Sequence, residues 1–218
     1  MKENQGIIFD MDGVLVHSNP VHKEAIDIFC QKHQCNVSET FMRANVYGVT
    51  NKEWIPKVFD HLSEQEVKEL GDEKEALFRE MFDPVANQVQ GAVEFIKHVA
   101  SHSVRMAVAT SAPGENAEYI LNRLGVAGYF EVVLDSSNVD KGKPDPEIYT
   151  KAIKALSLEP QHCIIFEDSV AGVQAAKGAG CKTIGVTTTH SAAEMSACDK
   201  IIADFKGIKV DEALSLLD

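Results

Sequence analysis

Short runs of consecutive apolar residues recur along the chain, and amphipathic helical patterns lie between several of them. We interpret six of these runs as β-strands. They are residues 6–9, 104–109, 130–134, 163–166, 183–186 and, more weakly, 200–203. Continuous apolar runs of this length are typical of strands that are buried on both faces, as in a parallel sheet. Because strands and helices alternate, right-handed crossovers are expected, and the pattern predicts a doubly wound α/β fold with a parallel sheet.

The clearest helical patterns lie on either side of the second strand. Residues 92–99 place their apolar side chains on one helix face, and residues 119–124 do the same. Gly125 then provides a helix stop. These two patterns supply crossover helices for the sheet.

One long stretch breaks the alternation. From about residue 20 to residue 83 no strand pattern occurs, and helical patterns occur instead around residues 25–29 and 54–59. A connection of this length is too long for a simple crossover. We therefore expect a small inserted α-helical cap domain at residues 17–86, with linkers near 17–20 and 84–90, and an α/β core domain formed by residues 1–16 and 87–218.

Composition and charge narrow the possible partners. The 218 residues suffice for one sizeable core, alone or with a small accessory domain. With 33 acidic and 21 basic side chains, the formal net charge is −12. This balance argues against a nucleic-acid or anionic-membrane surface, where a basic patch is expected. It does not argue against a small anionic substrate, since a few local cations can outweigh the global charge.

The cysteines and the apolar segments bear on the compartment. The five cysteines are scattered and lack CxxC spacing, which argues against a disulfide framework or a zinc site and favours a reducing compartment. The first residues lead directly into a strand pattern without an apolar signal region, and no run of about 18 apolar residues occurs. We expect a soluble, cytoplasmic protein.

Two carboxylates follow the first strand. Asp10 and Asp12 stand at its carboxyl end, where open α/β sheets bind ligands, and Gly13 allows a sharp bend. Both side chains can therefore turn towards one site, where one carboxylate could attack phosphorus and the other could protonate the leaving oxygen. Taken alone, the pair is equally compatible with a solvated acidic loop.

Polar groups also follow the second and third strands. Thr110 and Ser111 offer a hydroxyl and turn amides that can bind a phosphate oxygen, or they can simply cap the next helix. Pro144 restricts Lys143 to an extended conformation, so this lysine can serve as a fixed cation, the alternative being an ordinary solvated loop lysine. Each feature alone has an ordinary structural explanation.

The fourth strand ends in Glu167 and Asp168, which can cap a helix or hold a hard cation. In a parallel sheet these acids share an edge with Asp10 and Asp12. Two unit charges at ~4 Å repel by about 1 kcal/mol in water and by roughly 4 kcal/mol at an effective dielectric constant near 20. Mg²⁺ and Lys143 can compensate this charge, so the cluster predicts a magnesium cofactor.

Four motifs in order, FDMDGVL, ATSAP, GKPDPEIY and FEDSVAGVQAAKGAG, resemble those of the haloacid dehalogenase-like superfamily, in the branch whose helical cap follows the first strand. The resemblance covers essentially the whole chain. It implies that Asp10 is the nucleophile that forms an aspartyl phosphate and that Asp12 acts first as acid and then as base. It also implies that Thr110 and the Ser111 amide hold the phosphoryl oxygens, while Lys143 neutralises them and orients the nucleophile.

The resemblance also implies a metal site. Asp10, Asp168 and the backbone carbonyl of Asp12 would hold Mg²⁺, and Glu167 would support the site without ligating the ion. The dehalogenases and the phosphonate-cleaving enzymes of the superfamily lack the aspartate found here at position 12. The presence of Asp12 therefore argues against both of these activities.

The predicted cap resembles that of β-phosphoglucomutase-type enzymes through His22 and through the loop at residues 47–52. We expect His22, Asn51 and Lys52 to contact substrate. Those enzymes carry an arginine where this chain has Asn51, and Lys52 next to it could replace that arginine only imperfectly. They also carry a serine where this chain has Ala112. These departures favour hydrolysis over transfer to a second sugar phosphate.

The expected protein is thus a Mg²⁺-dependent phosphatase acting on a small phosphorylated metabolite such as a sugar phosphate. A phosphosugar mutase is the alternative, and a non-catalytic binding protein is a third, less favoured one. Its expected partner is a small-molecule phosphate ester, with neither nucleic acid nor membrane bound. The sequence leaves the oligomeric state open, and a monomer is compatible with it. His190, after the fifth strand, is a further candidate for the cleft.

Overall fold

The computed structural model describes residues 5–46 and 49–218. Its strands form one six-stranded sheet in the order β3-β2-β1-β4-β5-β6, and every neighbouring pair is parallel. The strands are β1 (Gly6–Phe9), β2 (Arg105–Ala109), β3 (Val132–Leu134), β4 (Cys163–Glu167), β5 (Lys182–Val186) and β6 (Lys200–Ile202). The predicted doubly wound α/β fold is confirmed.

Helices connect the strands and fill the insertion after β1. They are α1 (Asn19–His33), α2 (Glu39–Asn45), α3 (Asn51–Trp54), α4 (Glu64–Met81), α5 (Ala92–Ala100), α6 (Gly114–Arg123), α7 (Glu147–Ala155), α8 (Val170–Gly178) and α9 (Val210–Leu214). Short 3₁₀ turns follow or precede several of them. The helices α5 and α6 correspond to the patterns predicted around the second strand.

The sheet is buried on both faces because each strand alternates its apolar side chains between two helical layers. Ile7 and Phe9 pack in one cluster with α5, α6 and α9, whereas Ile8 packs in another with α7 and α8. The ring of Phe9 stacks on that of Phe166 in the neighbouring strand, with centroids 5.1 Å apart. This two-sided burial explains the continuous apolar runs in the sequence.

The insertion between β1 and β2 is helical, as predicted. The helices α1 to α4 enclose an apolar cluster of their own, in which Phe29 and Trp54 are fully buried. Ser63 begins α4 with a reciprocal capping box, since its hydroxyl accepts from the Glu66 amide while the Glu66 carboxylate accepts from Ser63. The division into domains at residues 16/17 and 86/87 stays a prediction.

Some strand ends differ from the prediction. The third strand begins at Val132 and not at residue 130, because a 3₁₀ turn at Ala127–Tyr129 is capped by Phe130. The fourth strand continues through Glu167, whose side chain is fully buried although it is ionisable. Over the described part of the chain, no helix is long and apolar enough to cross a membrane.

Candidate active site

The register of the sheet brings three chain segments to one edge. Phe9 pairs with Val108 on one side and with Phe166 on the other, so Asp10, Thr110 and Asp168 leave neighbouring strands close together. The Asp10 amide continues the pairing by donating to the Phe166 carbonyl at 3.0 Å. The carboxyl edge of the sheet is therefore the candidate site, as expected for an open α/β sheet.

Gly13 permits the close approach of two of these segments. It has a φ of +79°, which side-chain-bearing residues rarely adopt. A Cβ atom at this position would lie 1.9 Å from Oδ2 of Asp168. The bend after Asp12 thus requires glycine both for its backbone conformation and for space.

Lys143 bridges two carboxylates at the floor of the site. Its Nζ lies 2.7 Å from Oδ1 of Asp10 and 2.7 Å from Oε1 of Glu167, and it also donates to the Ala109 carbonyl at 3.4 Å. All three charged side chains are buried. Such charge-assisted bonds in a dry environment fix the position of the Asp10 carboxylate.

Glu167 has both carboxylate oxygens engaged. Besides Lys143, Oε1 accepts a hydrogen bond from the Tyr149 hydroxyl at 2.7 Å. Oε2 accepts from the backbone amides of the next two residues at 2.9 and 3.0 Å and from the Ser169 hydroxyl at 3.0 Å. Both oxygens are thus engaged, and Oε1 helps to position Lys143. The supporting role of Glu167 stays a prediction.

Asp10 and Asp168 ionise less readily than free carboxyl groups. Burial raises the pKa of Asp10 to about 7, and repulsion from Glu167 contributes to the increase, although Lys143 lowers the pKa. Burial, followed by repulsion from Glu167 and Asp10, raises the pKa of Asp168 well above its usual range. Oxygens of Asp10, Glu167 and Asp168 lie within 4.8 Å of one another. A divalent cation fits the oxygens of Asp10 and Asp168 beside Glu167, because oxygen ligands and uncompensated negative charge are what such an ion requires.

Asp12 is held on the side of the helical insertion. Its Oδ1 accepts a hydrogen bond from the Ser18 hydroxyl at 2.5 Å, and Nε2 of His22 lies 3.5 Å away. Although burial opposes it, these two partners lower the pKa of Asp12. The His22 ring stacks on Phe78 with centroids 3.7 Å apart, and its Nδ1 lies 3.1 Å from Nζ of Lys74. Since an ammonium only donates, Nδ1 is the acceptor and Nε2 carries the proton that faces Asp12.

Thr110 and Ser111 occupy the end of the second strand. Thr110 is 1% exposed, and its hydroxyl accepts from the Ala112 amide at 3.0 Å. The helix α6 begins at Gly114, so its first turn faces the same region. The cleft between the sheet edge and the helical insertion is lined by Asp10, Asp12, Asn19, His22, Val46, Val49, Asn51, Trp54, Lys74, Glu75, Thr110, Ser111 and Ala112.

The three cap residues that were expected to contact substrate do not all line the same cleft. His22 and Asn51 line the cleft, whereas Lys52 is exposed and lines a different groove between the insertion and residues 136–142. His190 does not line the cleft, and its Nδ1 lies 3.1 Å from the backbone carbonyl of Asp168. Tyr47 and Gly48 of the cap loop lie outside the described residues.

Two charged residues of the cleft wall were not predicted from the sequence. Lys74 and Glu75 are each 4% exposed and lie on α4. They occupy the same helix face as the buried Val67, Gly71 and Phe78. Charged residues at positions that follow the apolar periodicity of a helix are the signal that could have identified them.

These features define a class: capped α/β proteins with a parallel sheet, a helical insertion after the first strand and an acidic cluster at the carboxyl edge. The sequence model of the haloacid dehalogenase-like hydrolases matches residues 7–186. The chain belongs to the haloacid dehalogenase-like hydrolase family.

Its relatives include enzymes named as phosphatases. The validoxylamine A 7'-phosphate phosphatase of Streptomyces hygroscopicus subsp. limoneus is 33% identical over 202 residues, which cover 93% of this chain and 94% of the relative. The phosphorylated carbohydrates phosphatase of Thermotoga maritima is 35% identical over 185 residues, which cover 83% of each chain. The β-phosphoglucomutase from Clostridium difficile superposes with a TM-score of 0.87 over 98% of this chain and 97% of that one, and at 22% identity this likeness shows the fold alone.

Proposed function

We propose that the protein is a Mg²⁺-dependent phosphatase that hydrolyses a small phosphorylated metabolite, of the sugar phosphate kind, through an aspartyl phosphate on Asp10. The observation that carries the proposal is the contact of the buried Lys143 with Asp10 at 2.7 Å beside Asp12 and Asp168. Relatives named as phosphatases of phosphorylated carbohydrates and of validoxylamine A 7'-phosphate support the substrate class.

In the first step, an oxygen of the Asp10 carboxylate attacks phosphorus, and the bond from phosphorus to the ester oxygen breaks. Because Ser18 and His22 lower the pKa of Asp12, this carboxylate takes up a proton from solvent as the ester binds, and it gives that proton to the leaving alkoxide so that the alcohol departs neutral. Thr110 and the amide of Ser111 bind the phosphoryl oxygens from the end of β2. Lys143 holds the nucleophile in place and offsets the charge that accumulates there.

In the second step, a water molecule attacks phosphorus, and the bond to the Asp10 oxygen breaks. Asp12, deprotonated by the first step, takes the proton of this water as inorganic phosphate leaves, and it then releases the proton to solvent, so that both carboxylates return to their ionised starting states. Asp10, Asp168 and the Asp12 carbonyl are the groups that would hold Mg²⁺. When bound, the ion neutralises the acidic cluster and withdraws charge from the phosphoryl group.

The phosphatase proposal is favoured over a mutase by the surroundings of Asn51. Its amide donates to Oε1 of Glu75 at 2.8 Å, and its carbonyl accepts from the Trp54 indole at 2.8 Å. It therefore presents no positive charge to a second phosphate. Ala112, at the opposite wall, offers no hydroxyl.

The proposal is tested with p-nitrophenyl phosphate. We expect release of phosphate that requires Mg²⁺, that EDTA abolishes and that added Mg²⁺ restores. The Asp10→Asn variant should fold normally and lose turnover, whereas Asp27→Asn, on an outer face of α1, serves as the matched control and should keep it. A well-folded wild-type protein that hydrolyses no ester of a broad panel contradicts the proposal.

The mutase alternative needs a separate assay. β-Glucose 1-phosphate is supplied together with a sugar bisphosphate activator, and the products are analysed for inorganic phosphate and for glucose 6-phosphate. We expect no glucose 6-phosphate, because no described cleft residue takes the place of the mutase arginine. Its formation at a rate above phosphate release would reverse the assignment.

A further inference from the structure

A buried ion pair forms part of the cleft wall that faces the catalytic edge. Nζ of Lys74 lies 2.7 Å from Oε1 of Glu75, although the two residues are adjacent in sequence, and both side chains are about 5% exposed. Both residues line the cleft. Burying two charges costs solvation, so the pair must be well satisfied by its neighbours.

Glu75 is satisfied on both oxygens. Oε1 accepts from the Asn51 amide at 2.8 Å, and Oε2 accepts from the Asn116 amide at 2.6 Å. Burial opposes ionisation, but the attraction of Lys74 and His22, together with the hydrogen bonds from Lys74 and Asn51, outweighs it and lowers the pKa of Glu75 to about 2. The carboxylate is therefore ionised at neutral pH, and its charge cancels that of Lys74.

Most of the remaining cap-side wall carries no formal charge. Of the described residues that line the cleft, Lys74 alone carries an ammonium or guanidinium group. His22 accepts a hydrogen bond from Lys74 at Nδ1, and its Nε2 faces Asp12. The other cap-side lining residues are Asn19, Val46, Val49, Asn51 and Trp54.

The leaving alcohol of a bound ester faces this wall, since the phosphoryl group occupies the side of Asp10 and Thr110. Hydroxyl groups on that alcohol would meet donors and acceptors in Asn51, Lys74 and Glu75. A second anionic group would meet an ammonium already neutralised by Glu75, and it would also lie near the Asp12 carboxylate. Repulsion in a cleft of reduced dielectric constant is stronger than in water.

We infer that Glu75 is a specificity-determining residue: by neutralising Lys74, it restricts the enzyme to phosphate monoesters of uncharged, hydroxyl-bearing alcohols and disfavours alcohols with a second anionic group. This inference rests on the proposed phosphatase function. The Glu75 carboxylate would then select the substrate, which is a different role from a purely structural one in α4.

The test compares two esters that differ by one carboxylate, phenyl phosphate and 4-carboxyphenyl phosphate. The measured quantity is the selectivity ratio, kcat/KM for the carboxylated ester divided by kcat/KM for the neutral one. Intrinsic reactivity differs between the esters but is the same for every variant, so it cancels when ratios are compared. The variants are Glu75→Gln, Lys74→Gln and the double variant, which change the wall charge by +1, −1 and 0.

We expect Glu75→Gln to raise the selectivity ratio about tenfold, since one uncompensated charge near the ligand is worth at least that much in such a site. Lys74→Gln should lower the ratio about as much. The double variant should return to within about threefold of wild type, which is the non-additivity expected of a charge pair. Glu73→Gln, on the same helix but paired with Lys32 and His33, is the matched control and should leave the ratio unchanged.

Thermal unfolding of each variant separates specificity from folding. A ratio that stays at the wild-type value in folded Glu75→Gln overturns the inference, because a purely structural carboxylate would change both rates alike. Should Glu75→Gln fail to fold, Lys74→Gln decides: a lowered ratio supports the inference and an unchanged one overturns it. Failure of the wild type to hydrolyse either ester instead counts against the proposed function itself.

Discussion

Gly172 gives a prediction in which two structural effects oppose each other. It lies within α8, where alanine is favoured over glycine by about 1 kcal/mol. A Cβ atom built at Gly172 would lie 1.7 Å from Oε1 of Glu167, which receives the Lys143 and Tyr149 hydrogen bonds. Gly172→Ala therefore gains helix propensity but must displace the buried carboxylate.

The displacement dominates. Breaking a buried, hydrogen-bonded ion pair costs about 3–5 kcal/mol, so the net loss of unfolding free energy is about 2–4 kcal/mol after the propensity gain. For a chain of this size, each kcal/mol lowers Tm by about 2–4 °C, which gives a fall of roughly 10 °C. Because Lys143 would lose one of its two carboxylate partners, the position of Asp10 should also be affected, and turnover should decrease.

The assay is thermal unfolding followed by circular dichroism, together with phosphate release from p-nitrophenyl phosphate. Gly128→Ala is the control, since a Cβ atom there has no heavy-atom neighbour within 4 Å. It should change Tm by no more than about 2 °C, in line with a surface substitution. If Gly172→Ala is as stable and as active as wild type, then Glu167 is not confined as the structure indicates.

Three other predictions concern buried acidic groups of the site, Glu167, Asp168 and Glu75. Tyr149→Phe removes one donor to the buried Glu167, and urea unfolding should show a loss of about 1–3 kcal/mol. Mg²⁺ at 100 times its dissociation constant should stabilise the wild type by about 2.7 kcal/mol, and Asp168→Asn should abolish this gain in thermal unfolding. If the variant is stabilised equally, Asp168 is not a ligand. Glu75 has its pKa lowered from 4.5 to about 2, so the stability that it contributes is present above pH 4.5 and lost as the pH falls towards 2. The stability difference between wild type and Glu75→Gln should therefore shrink over that interval, and a constant difference would contradict it.

The sheet could be predicted because its strands are buried on both faces. The run at 163–166 is apolar without interruption and corresponds to β4, which the structure extends by one residue to Glu167. That extension could not be predicted, because a glutamate after an apolar run indicates the end of a buried strand unless its buried partners are known. Its partners Lys143 and Tyr149 lie 24 and 18 residues away in sequence.

The residues at the sheet edge could be predicted because parallel strands bring their carboxyl ends together. Asp10, Thr110, Lys143 and Asp168 are predicted because each follows a strand of the parallel sheet, and Lys143 also because Pro144 restricts it. The cap side could not be predicted in this way. Glu75 meets Asn116 across a sequence separation of 41 residues, and no rule of strand order relates α4 to α6.

The central claim is that Asp10 forms a phosphoenzyme, and the Asp12→Asn variant with p-nitrophenyl phosphate tests it most directly. Nitrophenolate needs no proton to leave, so the first step should proceed, while the second step lacks its base. We expect a burst of one nitrophenolate per enzyme and a protein heavier by one phosphoryl group, which hydroxylamine removes and which peptide mass spectrometry assigns to Asp10. Turnover without a phosphorylated protein, or phosphorylation at another residue, would contradict the account.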